Sequence, residues 1–224
     1  MRWQVLGTTI IGLAALVVAT SCEAPVATDT SPGALDVKLI VLDLEPTPSD
    51  GKVIVGIQFF SSGNVVQVGT GVPNCDGVNL TPNALLGNAY AERVPLRSPG
   101  QSYHFAYKHG STTTTVDVLA PTRPTITSPS PNQPVARTAT VSVTYPPGGG
   151  AGVIVGTSTT NGYTEHGEQQ DNGTYSNVDL TAQPAGAGSV KLKRIFRPTF
   201  SGTAFKSAVG EVTTGSADVP VVWT

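Results

Sequence analysis

From Leu35 onward, apolar and polar residues alternate with a period of two along stretch after stretch of the chain. KVIVGIQFF sets Val53, Val55, Ile57 and Phe59 on one face. QSYHFAYKH sets Tyr103, Phe105 and Tyr107 on one face, with Ser102, His104, Ala106 and Lys108 on the other. HGST (109–112) reads as a hairpin loop, and TTTTVDVLA as its returning partner. Such alternation marks strands with one buried face. LDVKLIVLDLE, starting at Leu35, is a longer apolar strand, and PTPSDG (46–51) is the turn after it. Further on, TVSVTY buries Val141, Val143 and Tyr145, while GVIVGTST and TYSNVDL are further strands. SVKLKRIF sends Val190 and Leu192 inward, and DVPVVWT aligns Val219, Val221 and Trp223. No 3.6-residue period is sustained beyond residue 21, so the pattern predicts an all-β protein.

The proline-rich run APTRPTITSPSPNQP (120–134) divides this pattern in two. Residues 35–121 and 122–224 each read as one antiparallel β-sandwich, giving two in tandem. Units of about 100 residues with about seven short strands and frequent turns are similar to immunoglobulin-like and fibronectin III-like sandwiches. The Pro-Thr-Ile-Thr-Ser-Pro opening of the second unit, Pro124 to Pro129, resembles the first strand of bacterial Ig-like domains. Without a Cys…Trp…Cys framework it is not an antibody-type domain. A single larger jelly roll is the alternative, and the proline-rich centre argues against it.

The N terminus has a different texture. Arg2 precedes an uncharged, mostly apolar stretch from Val5 to Val18, and Ala19, Thr20 and Ser21 lead into Cys22. The stretch is shorter than the ~20 apolar residues of a membrane-spanning helix and suits the core of a signal peptide. The arrangement resembles a bacterial lipoprotein signal, whose lipobox places small residues before an invariant cysteine. That resemblance implies removal of residues 1–21 and lipidation of Cys22. Ala19 stands where the family favours Leu, Val or Ile, and the rival is cleavage after Ala24 with plain secretion. EAPVATDTSPG then reads as part of a flexible tether over 22–34.

Composition narrows the function classes. Charged residues make up 12% and the formal net charge is −2. That balance does not fit a nucleic-acid binder, which is normally basic. With Cys22 lipidated, Cys75 is the other of 2 cysteines and has no partner within the chain. It reads as a small buried hydrophobe, or else as an intermolecular disulfide or a reactive thiol.

The glycine-rich GGG (148–150) and GAGS (186–189) lack the Gly-Lys-Ser/Thr sequel of a phosphate loop and read as sheet connections. His104, His109 and His166 are scattered, without metal-site spacing. Two polar clusters remain. NGYTEHGEQQDNGTY (161–175) carries Glu165, Glu168, Asp171 and Asn172, oxygen ligands of the type that hold Ca²⁺. No other cofactor is expected. Glu165 and Glu168 are also a carboxylate pair of the sort glycoside hydrolysis requires. VKLKRIFRP carries Lys191, Lys193, Arg194 and Arg197, either a solvated strand face or a stripe for a polyanion.

The sequence therefore predicts a non-catalytic lipoprotein, held on the extracytoplasmic side of a bacterial envelope membrane by an N-terminal lipid. Its Ig-like domains act as a binding or spacer module toward an unidentified protein or glycan of the envelope, and it does not bind nucleic acid. The alternatives are an envelope hydrolase acting on carbohydrate and a structural subunit assembling through strand edges.

Overall fold

The alternating stretches become the buried faces of two sandwich cores. A computed structural model of the chain describes residues 24–43, 50–137, 141–181 and 183–224. The expected signal peptide, Cys22 and most of the expected PTPSDG turn lie outside the described residues. The first half contains strands β1 (Asp36–Asp43), β2 (Lys52–Ser61), β3 (Asn64–Val66), β4 (Gly71–Cys75), β5 (Val78–Asn79), β6 (Thr81–Asn83), β7 (Ala89–Pro95), β8 (Ser102–His109) and β9 (Thr112–Leu119). The second contains β10 (Gln133–Val135), β11 (Val141–Thr144), β12 (Gly152–Thr159), β13 (Gly162–Glu165), β14 (Thr174–Val178), β15 (Gly186–Phe196), β16 (Thr199–Phe200), β17 (Ser207–Gly215) and β18 (Val219–Trp223). Helical structure among the described residues is confined to 3₁₀ turns at Pro32–Ala34 and Ala84–Leu86. None of their helices is long and apolar enough to cross a membrane.

In the first core, the sheet holding β1, β2 and β7 faces the four-stranded sheet β5–β4–β8–β9. Val53, Val55, Ile57 and Phe59 meet Tyr103, Phe105 and Tyr107, and all seven are nearly or fully buried. Phe59 packs at 4.9 Å from Tyr107 and edge-on to Tyr90 at 5.7 Å. In the second core, β11 and β14 face β12, β15 and β18. Trp223, 1% exposed, closes it. Its Nε1 donates to the Ser158 carbonyl at 2.9 Å. The indole crosses Gly188 so closely that a Cβ there would lie 1.9 Å from Nε1. Only glycine fits, because any Cβ would drive the ring out of its hydrogen bond.

The boundary expected between residues 121 and 122 is crossed by one segment. The long strand β15 leaves the second core and the chain continues through β16 into β17. β17 pairs in parallel with β1 along its length, from Asp36↔Ser207 to Asp43↔Thr214. Its last residues also pair antiparallel with the end of β15, from Phe196↔Val212 to Lys193↔Gly215. The chain then passes Ser216, whose hydroxyl accepts from Leu192 N, and returns to the second core as β18. One sheet therefore runs β10–β18–β15–β17–β1–β2–β7–β6 through both halves. Phe205, Ala208 and Val212 belong to the first core, with Phe196 and Phe200 packed against it. Polar pairs fix the register of β1 on β17. Lys38 reaches Glu211 at 2.8 Å, and Asp36 accepts from Ser207 Oγ at 2.7 Å. Asp43 takes a two-pronged contact from Arg123 of the proline-rich run at 2.6 and 2.8 Å.

Much of the stretch expected to be a tether also rests on the first sandwich. Gln67 N donates to the Pro25 carbonyl at 2.8 Å, and Ala27 N to the Gln67 carbonyl at 2.9 Å. The buried Thr30 offers its carbonyl to the Tyr107 hydroxyl and its own hydroxyl to Thr70, both at 2.9 Å. Backbone and threonine hydrogen bonds hold this arm where apolar side chains are few.

The shared strand sets an expectation for proteolysis and mutation. A cut within residues 121–134 should leave two fragments that co-elute on gel filtration under native conditions and separate only in denaturant. Phe205→Ala should destabilise the first core by about 3–5 kcal/mol, the cost of removing a buried phenylalanine, as read by urea unfolding. Fragments that separate freely without denaturant would contradict the shared strand.

Candidate functional site

The two polar clusters found in the sequence meet each other. The end of β13 and the loop after it lay their carboxylates along the basic residues of β15 and Arg197 just beyond it. Glu165 pairs with Lys193, and Arg197 grips Glu168 with both Nη atoms at 2.6 Å. Asp171 pairs with Arg194 at 2.9 Å. Lys191 stands 3.8 Å from Asp218 at the start of the last segment. Asn172 turns its Oδ1 onto Thr174 N at 3.1 Å. The candidate Ca²⁺ ligands are thus engaged separately, the three carboxylates with different bases and Asn172 with a backbone N–H. Among the described residues no group of three or more His, Cys, Asp or Glu is arranged to hold a metal ion. The candidate polyanion stripe faces acids of its own chain, among them Glu165 and Glu168, the two carboxylates that glycoside hydrolysis would use.

These pairs differ greatly in weight. Arg197 and Glu168 are 46% and 34% exposed, where solvent screening reduces an ion pair to ~0–1 kcal/mol. The Arg197 guanidinium, through its hydrogen bonds, holds the Glu168 carboxyl below its usual range. Arg194 and Asp171 are 3% and 0% exposed. Arg194 is surrounded on several sides. Its Nη2 donates to the Pro146 carbonyl at 2.6 Å and to Asp171 Oδ1 at 3.3 Å. Its Nε lies near Asp171 Oδ2 but off the line a hydrogen bond needs, and the guanidinium carbon sits 5.7 Å from the centre of the Tyr145 ring. Asp171 Oδ2 also accepts from Gly148 N at 3.2 Å and Gly150 N at 2.7 Å.

This explains the triglycine. The loop wraps backbone N–H groups around an anion, but the anion is the chain's own carboxylate. A Cβ at Gly148 would lie 2.3 Å from Arg194 Nη1, and one at Gly150 would lie 2.7 Å from Arg194 Cγ and 3.0 Å from the Ile195 carbonyl. Gly149 between them takes φ +72°, a conformation that favours glycine.

Beside this pair, the junction of the two halves opens a cleft of about 930 Å³. Leu119 and Pro121 line it from the first half, Pro147 from the glycine loop, and Phe196, Pro198 and Phe200 from the segment leading to β17. Leu119 is 64% exposed there. The sequence pattern does not reveal this cleft, because its walls are far apart along the chain. The dense prolines at 121, 124, 146, 147 and 198 are the signal it does carry.

The remaining candidates are quiet. Cys75 is fully buried and free, as the small-hydrophobe reading has it. Burial, aided by the neighbouring Asp76 charge, pushes its thiol up to about 12. A buried, protonated thiol does not suit a reactive or intermolecular role. His104 is exposed and sits 2.8 Å from Asp117 on the adjacent strand. His166 contacts Thr157 Oγ1 at 3.0 Å, and partial burial holds its imidazole below the ordinary value.

No protein-family model and no curated protein matches the chain. Solved structures offer distant likenesses. A "Biofilm associated protein - BSP domain" is 16% identical, over 80% of this chain and 29% of that one, with a TM-score of 0.24. The chain therefore spans under a third of that protein's length. The S-layer protein SbsC domains 4 and 5 are 16% identical, over 84% of this chain and 97% of that one, with a TM-score of 0.24. A chimeric titin Z1Z2 is 15% identical, over 90% and 97%, with a TM-score of 0.23. The all-β fold class rests on the strands described above.

Two outcomes test this account of the site. Asp171→Ala strands a buried guanidinium and should cost about 3–5 kcal/mol, whereas Arg197→Gln should cost less than about 1 kcal/mol. Urea unfolding of both variants reads the contrast. For Cys75, the unfolded thiol ionises near 9.0 and the folded one near 12. The unfolded state therefore sheds a proton that the native state keeps, and stability falls as pH rises above 9. By pH 10 the loss should be about 1.4 kcal/mol. Cys75→Ala should show that much less pH sensitivity than wild type when unfolding midpoints at pH 8 and pH 10 are compared.

Proposed function

We propose that the chain is a non-catalytic lipoprotein of the bacterial cell envelope, anchored through Cys22, whose two Ig-like sandwiches act as one stiff binding module. The observation that carries this reading is the strand β17, shared between the halves. It couples the sandwiches through hydrogen bonds and a common core instead of leaving them on a proline-rich hinge. A joint built this way favours holding a surface at a fixed place over flexing. The surface it holds is the junction cleft, whose walls come from both halves.

The hydrolase reading is weaker, since the carboxylates nominated for it are held by Lys193 and Arg197. Assembly through a Cys75 disulfide is weaker as well, since that thiol is buried. The cleft favours an envelope protein or glycan that presents apolar or ring surfaces, because Leu119, Phe196, Phe200 and the prolines supply contact area, while Arg123 and Arg197 in its wall can meet polar groups of the same partner.

Two experiments test the proposal in cells. Metabolic labelling with an alkyne fatty acid should mark the wild type and not Cys22→Ser, and the variant should leave the membrane fraction. Label retained by Cys22→Ser would remove the anchor. A photo-crosslinking residue in place of Leu119 should trap a discrete adduct, while the same residue in place of the exposed Val222 should not. Equal patterns at the two positions would reduce the module to a spacer.

A further inference from the structure

We infer that the first sandwich sits end-on against the lipid headgroups, with Leu85, Val26 and Val72 as its apolar contacts to the bilayer. This rests on the reading that Cys22 carries lipid, and it adds an orientation and an interaction surface. The argument begins with chain length. Pro25 is already hydrogen-bonded to Gln67 on the first sandwich. From Cys22 to Pro25 there are three residue steps, which reach at most about 10–11 Å when fully extended. A bilayer's headgroup region adds only about 5–8 Å on each side of the hydrocarbon core. A lipid on Cys22 would therefore bring the docking point of the arm to the headgroups, with no room for a free tether.

Strand registers identify which end is held there. Asp36 at the start of β1 pairs with Phe60 at the end of β2. The β6–β7 hairpin returns at the same end, where Asn83 pairs with Ala89 and Tyr90 with Ile57. Gly71 of β4 pairs with His109, where the β8–β9 hairpin turns. Thr30 links the arm to this end through Tyr107 and Thr70. The second sandwich leaves from the opposite end, beside Asp43, Arg123 and Leu119.

The anchored end carries apolar side chains that no other described residue covers. Leu85 stands on the 3₁₀ turn after β6 and is 96% exposed; Val26 of the arm and Val72 beside Gly71 are 60% and 45% exposed. The turn is built to hold Leu85 outward. Asn83 Oδ1 accepts from Leu85 N at 3.0 Å, and Gly87 closes the turn in the left-handed conformation. The charges nearby nearly balance: Asp36 pairs with Lys206, Asp29 and Lys108 are of opposite sign, and Glu23 beside the anchor leaves one negative charge over. Such an end meets little repulsion from an anionic headgroup surface. Exposed apolar side chains on a pole of low net charge fit the boundary between headgroups and acyl chains.

The test uses the full chain, processed by its host and reconstituted in vesicles of phosphatidylethanolamine and phosphatidylglycerol. Single cysteines replace Leu85, Val72 or the distal Tyr163, and each is labelled with a polarity-sensitive fluorophore. Native Cys75 stays unlabelled because it is buried. The Leu85 and Val72 probes should shift to the blue and lose most of their emission to doxyl-labelled lipid, while the Tyr163 probe does neither. Probes at Leu85 and Tyr163 that behave alike would overturn the orientation. A blue shift that rises with protein concentration, without doxyl quenching, would mean that the pole meets a second copy, and would overturn it too. If mass measurement shows Cys22 unmodified or removed, the anchoring premise has failed, and the seating that rests on it is overturned with it.

Discussion

The parallel pairing of β1 with β17 is the contact on which the architecture turns. β1 is hydrogen-bonded to β2 on one side, and without β17 its other edge would be open. Open edges invite pairing with other chains. Here the edge is covered by a strand that the second half contributes, and the cover carries its own apolar load. Phe205 reaches the aromatic group of Phe59 and Tyr107, at 6.5 and 6.0 Å. The cleft follows from the same contact, because the segments leading into β17 form part of its wall.

A second constraint is charge. The chain has few ionisable groups, and the structure matches them with one another. The acids at the end of β13 and in the loop after it meet the bases of β15 and Arg197 beyond it, and only one of those pairs, Arg194 with Asp171, is fully withdrawn from water. A buried charge is costly unless it is paired and hydrogen-bonded. The triglycine, the Pro146 carbonyl and the Tyr145 ring are what make that burial tolerable. What remains facing solvent is a protein of little net field, whose distinctive surfaces are apolar.

Period-two alternation makes the core faces legible in the amino-acid sequence. Val53 to Phe59, Tyr103 to Tyr107, Val190 and Leu192, and Val221 with Trp223 all bury as their spacing predicts, because a pleated strand gives each residue one of two sides. β17 is not legible in that way. SAVGEVTTG buries small residues, and its partner in β1 lies 171 residues away at the Asp36–Ser207 contact. Nothing local marks a pairing of that range. Both charged clusters are visible as well, yet each taken alone has the look of a site. Their meeting depends on β12 and β13 folding back beside β15, and sequence distance conceals that. The arm at residues 25–34 resembles a tether because its composition is polar, while its hydrogen bonds leave no periodic trace.

A strand that completes the first core from near the end of the chain also sets an order of events. Ribosomes deliver a polypeptide N terminus first. β1 therefore waits with an uncovered edge until Ser207–Gly215 has emerged, after most of the second sandwich has been delivered. Closing so long a loop is entropically slow, and pairing between distant strands is the slow part of β folding. During that interval a partly formed first sandwich exposes Phe59 and the bare edge of β1, the conditions under which chains cross-associate. Truncation near the C terminus would accordingly damage the N-terminal sandwich, and folding calls for shelter of an unpaired strand until its partner arrives.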